Sequence, residues 1–384
     1  MSEIKVNSIK GTGASSAAIT VHTSDGTWSS STGKLSNIPG NNLIINGSMQ
    51  INQRGTVTGN TTTSYGGPDR WKAARADAPG TWQLSQVADG PAGFSHCLEH
   101  KVTTANSSLD AGDEACITYS FEGQDLTQVK KGTASAEQLT LSFWCKSSTT
   151  GTYIVEFYDT DNNRQCSKSF TISAATTWEK KELTFPADTT GAFTYDNNES
   201  LAVRIWYAAG TTWTSGTLNT TWAASSDANR AVGCTNLSAT LNNYFRLTGV
   251  QLEVGDVATE FEHRSYGDEL LRCQRYFETS YNPGVTVGSS SNVGGYYECH
   301  SSDNGSNVVF SPTYRVTKRA VPTDKFWKDD GTANQWTYSR ESGGAGSGVT
   351  SFRSSQTHLN GYVDCGATWV PCALHGHWSS EAEL

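Results

Sequence analysis

Apolar and polar residues alternate with a period of two through most of the chain beyond residue 41. In the segment LTLSFWCKS, for example, Leu139, Leu141 and Phe143 would share one face, and Trp144 and Lys146 would share the other. This alternation is typical of antiparallel sheets that bury one face. The same spacing occurs in FSHCLEHKV, where Phe94 opens the apolar face, and in EACITYSFEG, GTYIVEFYD, SLAVRIWYA and YFRLTGVQLEV.

About eight such strands, separated by polar turns, predict a two-sheet antiparallel sandwich of the jelly-roll kind. The sequence as a whole therefore predicts an all-β protein. Its expected parts are an N-terminal β arm and linker (1–40), a jelly-roll-like β-sandwich (41–264), a short connecting helix (265–278) and a smaller, distal C-terminal β-sandwich (279–384).

The connecting helix is the one place where the spacing changes. Ser265 is expected to cap its first turn, in which Asp268 and Glu269 favour the helix dipole. One face would carry the apolar residues Leu270, Cys273 and Phe277. A helix this short is marginal in isolation, so we expect it to pack against a β domain or against its own copies.

Composition and charge restrict the partners. The net charge is −9 and only 17% of the residues are charged. Binding to nucleic acid or to an anionic membrane requires a surplus of Lys and Arg, so neither is expected. The sequence has no apolar run of membrane-spanning length, and its first residues lack the apolar core of a signal peptide. The nine cysteines are odd in number and dispersed, so we expect them to be mostly reduced.

Several segments occur in an order that carries a family resemblance. They are NLIINGSMQINQRGT, GGPDRW, LTLSFWCKS, TGVQLEVGDVATEFEHR with ELLRCQRYFE behind it, KRAVPT and HGHWSSEAEL. Over residues 42–384 the chain resembles bacteriophage tail-fibre and receptor-binding proteins of marine and enterobacterial tailed phages. In these segments, Asn46 and Trp71 are expected to be turn and core residues, and Phe261 is expected to pack back on the sandwich core.

The resemblance implies a homotrimeric, non-enzymatic virion protein that mediates host attachment. Its N-terminal arm would dock on the phage tail or another virion component, and its distal domains would bind a host surface glycan. The implied location is the virion tail, after assembly in the bacterial host cytoplasm. No cofactor is implied.

Candidate glycan contacts are aromatic residues set among Thr, Ser and Asn, because sugars stack on aromatic planes while their hydroxyls pair with polar groups. The structural alternative is that these rings cap the core or lie at a subunit interface. The candidates are Trp206, Trp213 and Trp222 in the sandwich and Tyr297, Trp327, Trp336 and Trp369 in the distal domain.

Two patterns raise the question of a metal, and neither is adopted. Cys365, Cys372, His375 and His377 have the spacing C-x6-C-x2-H-x-H, which is wider than that of usual zinc sites. The segment YDTDNNR begins like a calcium loop at Asp159, but it lacks the glycine and the final glutamate of such loops. The prediction is therefore no metal.

No catalytic motif is found, and the prediction at this stage is a protein that is not an enzyme. Two alternatives remain open. One is a tail-spike hydrolase, which would need two opposed carboxylates in an open groove. The other is a capsid-attached fibre or decoration protein with the same domains and a different docking surface.

Overall fold

The computed structural model describes residues 8–9, 19–21, 28–30, 40–76, 80–301, 307–340, 343–351, 353–365 and 371–384. Strands are numbered in chain order. The first three form a small antiparallel sheet in the predicted arm: β1 (Ser8–Ile9), β2 (Ile19–Val21) and β3 (Trp28–Ser30). The rest of the arm lies outside the described residues. All β pairings in the described parts of the chain are antiparallel, so the all-β prediction is confirmed.

Two sheets face each other to form a sandwich. The six-stranded sheet has the order β13-β10-β16-β8-β7-β4 and consists of β4 (Val57–Asn60), β7 (Thr81–Val87), β8 (Cys97–Thr104), β10 (Leu139–Ser147), β13 (Glu179–Phe185) and β16 (Tyr244–Val254). The seven-stranded sheet has the order β15-β12-β11-β14-β9-β6-β5. It consists of β5 (Ser64–Tyr65), β6 (Trp71–Ala76), β9 (Glu114–Glu122), β11 (Gly151–Asp159), β12 (Arg164–Ile172), β14 (Glu199–Ala209) and β15 (Ala223–Ala224).

Within the sandwich, the helices of the described residues lie in the connections between strands. They are the α-helix α1 (Thr211–Thr214) and the 3-10 helices Gly123–Val129, Asp227–Asn229 and Leu237–Ala239.

The sandwich core lies between the two sheets and is formed by the faces that the alternation predicts. Leu139, Leu141 and Phe143 of β10 are buried there, as are Tyr119 of β9 and Trp71 of β6. Burying a side chain of this size stabilises the fold by about 1.5–3 kcal/mol. Asn46 is fully buried, has a φ of 59° and donates to the carbonyls of Ile51 and Asp69. The core and turn roles of Trp71 and Asn46 are thus confirmed.

The connecting helix α2 (Tyr266–Gln274) begins where the sequence predicts. The Ser265 side chain accepts a hydrogen bond from the Asp268 amide at 3.2 Å and so caps the first turn. Cys273 is buried, as expected from the apolar face. The helix ends sooner than predicted, because Phe277 belongs to the next strand, β17 (Phe277–Thr279).

The remaining strands form an eight-stranded sheet. They are β17, β18 (Tyr296–Ser301), β19 (Asn307–Phe310), β20 (Thr323–Trp327), β21 (Gln335–Arg340), β22 (Gly343–Ser351), β23 (Gly361–Asp364) and β24 (Pro371–Glu381). β24 pairs with β18 and β21 along its first half and with β17 and β20 along its second half. The division of the chain into independent domains stays a prediction.

The segment behind β24 docks on the sandwich through buried charges. Glu383 has 3% of its side chain exposed, and it accepts hydrogen bonds from Arg54, at 3.0 Å, and from Arg70. The Arg70 guanidinium also lies 3.4 Å from the Tyr276 ring centroid, and Tyr65 donates to the main-chain oxygen of Leu384 at 2.7 Å. These contacts, called here the C-terminal clamp, hold the eight-stranded sheet against the sandwich.

Most described cysteines are buried. The structure has free thiols at Cys97, Cys116, Cys145, Cys166, Cys234, Cys273 and Cys372. Burial raises the pKa of the Cys97, Cys145 and Cys166 thiols to about 12. They are therefore uncharged and unreactive at neutral pH.

None of the helices in the described ranges has the length and apolar run that crossing a membrane as a helix requires.

Candidate functional site

An open cleft of about 510 Å³ lies on the outward face of the six-stranded sheet. Four half-buried or exposed rings border it, and we call it the aromatic cleft. The residues that line it are Ala92, Phe94, Ser142, Trp144, Lys180, Gly249, Thr259, Glu260, Phe261 and His263.

Strand alternation and a bulge place Trp144 in this cleft. Because Phe143 points into the core, its neighbour Trp144 points outward. Ser142 pairs with Gln251 and Trp144 with Thr248, so β16 has one extra residue at this point. The bulge includes Gly249, whose φ is +60°. Gly249 leaves room for the rings above it, because a Cβ there would lie 2.7 Å from Phe94 Cζ and 3.0 Å from Trp144 Cδ1.

The other rings come from loops and pack on one another. The Phe94 and Phe261 centroids are 5.0 Å apart at an interplanar angle of 73°. His263 lies 5.3 Å from Phe94 and 4.9 Å from Phe261. Such edge-to-face packing fixes the ring positions. The cleft therefore has a preformed apolar wall, with hydroxyl, carboxylate and ammonium groups from Ser142, Thr259, Glu260 and Lys180 around it.

An ion network continues along the same sheet face. Asp89 accepts from Trp178 Nε1 at 3.3 Å and from the side chains of Lys146 and Arg246. Arg246 Nε also donates to Glu99 at 2.7 Å. Burial opposes the ionisation of Asp89, but these hydrogen bonds outweigh it and lower the pKa of its carboxyl. Asp89 thus stays charged at neutral pH.

The lowered pKa predicts a pH-dependent cost for the variant Asp89→Asn. A carboxyl whose folded pKa is below its ordinary 3.8 stabilises the fold fully above that value. The contribution disappears as the pH falls through the folded pKa. We expect the free energy of unfolding of the variant to be lower by up to about 1 kcal/mol at pH 7, since the network is partly exposed. Urea unfolding at pH 7 and at about pH 3 should show that difference shrink on acidification; a constant difference would contradict the assignment.

Gly249→Ala tests whether the cleft needs this glycine. The free energy of unfolding of the variant should fall by about 1–2 kcal/mol because of the left-handed backbone alone. It should fall further because the new methyl group displaces the Phe94 and Trp144 rings. Gly59→Ala is the matched control, since Gly59 has a φ of +63° and nothing within 4 Å of its Cβ position. Urea unfolding of both variants measures the difference. Equal losses would mean that the rings do not press on Gly249.

The predicted sandwich tryptophans do not lie in the aromatic cleft. Trp206 is fully buried, and its Nε1 donates to Glu156 at 2.9 Å. It therefore has no exposed surface for a ligand in this conformation. Trp213 is half-buried, 5.6 Å from Trp206, on the outward face of the seven-stranded sheet. Trp222 is half-buried and packs against the core, with its Nε1 donating to the Pro186 carbonyl.

The predicted distal residues are also dispersed. Trp336 is fully buried in the core of the eight-stranded sheet, and its Nε1 donates to the His377 carbonyl at 2.9 Å. Trp327 is half-buried, 6.1 Å from the Tyr281 ring. Tyr297 belongs to β18. Trp369 lies outside the described residues. Trp206 and Trp213 are brought together, and the ligand roles of all these candidates stay predictions.

In the segments considered as metal sites, candidate ligand side chains already contact other groups of the protein. His375 Nδ1 lies 2.6 Å from Asp329, and His377 Nε2 lies 2.8 Å from the Ser291 carbonyl. In the loop that resembles a calcium site, the Lys131 ammonium lies 2.5 Å from Asp159. A lysine thus supplies the positive charge beside this carboxylate.

The positions of two residues in the aromatic cleft differ from the sequence-based predictions. Phe261 does not return to the sandwich core; it is half-exposed and packs on Phe94 and His263. Phe94 is not part of the buried face of a strand, because β8 begins only at Cys97. The alternation does place Trp144 on the outward face, but sequence reasoning did not select it as a site residue.

Comparison with known proteins gives distant structural matches. No family model and no curated protein matches the sequence. Similar solved structures include the enzymatically active domain of a tailspike protein from Bacteriophage CBA120, with 16% identity and a TM-score of 0.32, over 56% of this chain and 21% of that one. A family 11 carbohydrate-binding module from Clostridium thermocellum, in complex with a mixed-linked tetrasaccharide, has 14% identity and a TM-score of 0.27. The match covers 55% of this chain and 99% of the module.

An arabinose-bound α-L-arabinofuranosidase is also similar, with 10% identity and a TM-score of 0.28, over 48% of this chain and 23% of that one. The chain therefore spans less than a quarter of the tailspike domain and of the arabinofuranosidase. The prediction that the chain is not an enzyme is corrected here, because two of these similar structures are enzymatically active proteins.

Proposed function

We propose that the protein binds a surface glycan through the aromatic cleft. The observation that carries the proposal is a half-exposed tryptophan beside a preformed cluster of three rings, in a 510 Å³ cleft that also presents Ser142, Thr259, Glu260 and Lys180. A sugar has an apolar C–H face and a rim of hydroxyls, so it needs this combination of aromatic planes and polar groups.

The preformed rings support affinity as well as fit. Phe94 and Phe261 are held in contact at 5.0 Å, and Gly249 keeps the space above β16 open for Phe94 and Trp144. A ligand therefore meets walls that are already ordered, and little side-chain entropy is lost on binding.

The biological role that we propose is host attachment by a homotrimeric phage tail fibre. This role rests on the order of family-like segments in the sequence. The N-terminal arm would dock on the tail or another virion component, after assembly in the host cytoplasm. Three copies of a weak sugar site would gain avidity on a cell surface.

A glycan array followed by calorimetry on the full chain tests the binding proposal. We expect saturable binding to at least one oligosaccharide, and no detectable binding to any array member would refute it. Native mass spectrometry tests the assembly: a mass of three times 41.3 kDa is expected, and a stable monomer would remove the avidity argument. Incubation with the bound polysaccharide, followed by sizing, shows whether the chain also cleaves it.

A further inference from the structure

A second groove, of about 310 Å³, lies on the outward face of the seven-stranded sheet, opposite the aromatic cleft. We call it the charged groove. Its middle is a cross-strand row in which Lys72 of β6 pairs with Thr118 of β9, and Thr118 pairs with Arg204 of β14. The next row has Ala74 and Cys116. These small side chains form a floor between larger, charged neighbours.

Arg204 lacks a partner for one of its donors. Its Nε is buried and has no hydrogen-bond acceptor, and its closest carboxylate contact is NH1 to Glu156 at 3.8 Å. A buried donor without an acceptor is costly. The rest of the Arg204 side chain lines the groove and is 22% exposed, so a ligand oxygen can reach its guanidinium there.

The Glu156 carboxylate is already engaged elsewhere. Arg230 Nε donates to one of its oxygens at 2.7 Å, and Arg230 NH2 and Trp206 Nε1 donate to the other at 3.2 and 2.9 Å. Arg204 therefore shares the Glu156 carboxylate, whose negative charge is already balanced by Arg230. Glu114 and Glu199, farther along the groove, offset part of its positive charge.

The other charges indicate where an anion would lie. Glu199 stands five residues before Arg204 on β14, and Glu114 stands four residues before Thr118 on β9, at opposite ends of the groove. The Cα atoms of both acids therefore lie more than about 10 Å along the strands from the central row. Lys72 adds a second cation to this row, but its ammonium is directed toward one end, where it lies 3.8 Å from Glu199 and donates to the main-chain oxygen of Leu384 at 2.9 Å. A ligand anion is thus favoured at the centre and disfavoured at the ends.

An aromatic ring completes the groove. Trp213 lines it, is half-buried, and is fixed by a 3.1 Å hydrogen bond from its Nε1 to the Gly112 carbonyl and by packing on Trp206. A fixed, part-exposed ring near an arginine whose side chain is 22% exposed suits a sugar that carries a carboxylate.

We propose that the charged groove is a second binding site, specific for an acidic saccharide, whose carboxylate accepts from Arg204 while the sugar ring packs on Trp213. This site is separate from the aromatic cleft and does not depend on the function proposed for the cleft.

The test uses the full chain and three matched trisaccharides: trigalacturonate, its methyl ester, which keeps the rings and loses the charge, and neutral galactotriose. Calorimetry should detect binding of trigalacturonate at the groove and no binding of the two uncharged trisaccharides there. The affinity for trigalacturonate should fall as salt is added. Arg204→Met should weaken trigalacturonate binding at least about tenfold, the effect of losing a charge-assisted hydrogen bond, and Arg204→Lys should retain part of it. Trp213→Ala should also weaken it, which provides a second variant if Arg204→Met fails to fold.

Trp144→Ala is the control on the opposite sheet and should leave trigalacturonate binding unchanged. The proposal is overturned if the wild type binds the methyl ester as well as the acid, if it binds neither, or if Arg204→Met and Trp213→Ala bind like the wild type. Loss of trigalacturonate binding in Trp144→Ala would instead assign the acidic sugar to the aromatic cleft. If the cleft proposal fails, Trp144→Ala will bind the glycans of the array as the wild type does. This result is distinct from those that test the charged groove.

Discussion

Replacing Glu383 by glutamine is expected to lower the free energy of unfolding by about 3–5 kcal/mol, because it leaves the buried Arg70 without its anion. The change keeps the shape of the side chain and removes only its charge. Glu383 accepts from both Arg54 and Arg70, and the Arg70 side chain is only 1% exposed. Asp69 and Glu381, 3.6 and 3.7 Å from Arg54, would remain as anions for that arginine. Urea unfolding at pH 7 measures the loss.

Glu137→Gln is the matched control for this experiment. Glu137 forms a similar ion pair with Lys130 at 2.9 Å, but the two side chains are 40% and 51% exposed. Exposed pairs contribute at most about 1 kcal/mol, so the same chemical change should have little effect there. Similar losses in the two variants would mean that the C-terminal clamp is no more important for stability than a surface ion pair.

The variant Trp144→Ala is expected to weaken glycan binding by roughly 30-fold, which corresponds to about 2 kcal/mol for the loss of a central aromatic contact. Trp144 is the strand-borne ring of the aromatic cleft, and its removal leaves the other rings with an open gap. Calorimetry with the oligosaccharide that binds best on the array measures the effect. Near-ultraviolet circular dichroism establishes that the variant keeps its tertiary packing.

Trp213→Ala is the control for this binding experiment, since Trp213 lies on the opposite sheet. It should leave binding at the aromatic cleft unchanged. If both variants bind the neutral glycan like the wild type, the aromatic cleft is not its site.

The sequence predicts the sheets well, because side-chain alternation is a local property. Leu139, Leu141 and Phe143 are all buried in the core, and Trp144 faces outward as the pattern requires. The helix start at Ser265 is also local, since its cap depends on a contact three residues away.

The aromatic cleft could not be predicted in the same way. Phe94 and Phe261 are 167 positions apart in the chain and meet only because their loops cross the same face of the six-stranded sheet. Both residues are large apolar rings, which are usually buried, and this general expectation assigned both to the core. Conversely, Trp206 lies on the outward face of β14 ahead of a polar loop but is buried, because that loop covers it.

The position of β24 has a consequence for synthesis on the ribosome. Four earlier strands, β17, β18, β20 and β21, all pair with it, and β24 is translated after them. Until it emerges, those strands have exposed edges that can pair with strands of neighbouring nascent chains. We expect pulse-chase protease digestion to show the sandwich becoming resistant first and the eight-stranded sheet only after β24 has left the exit tunnel.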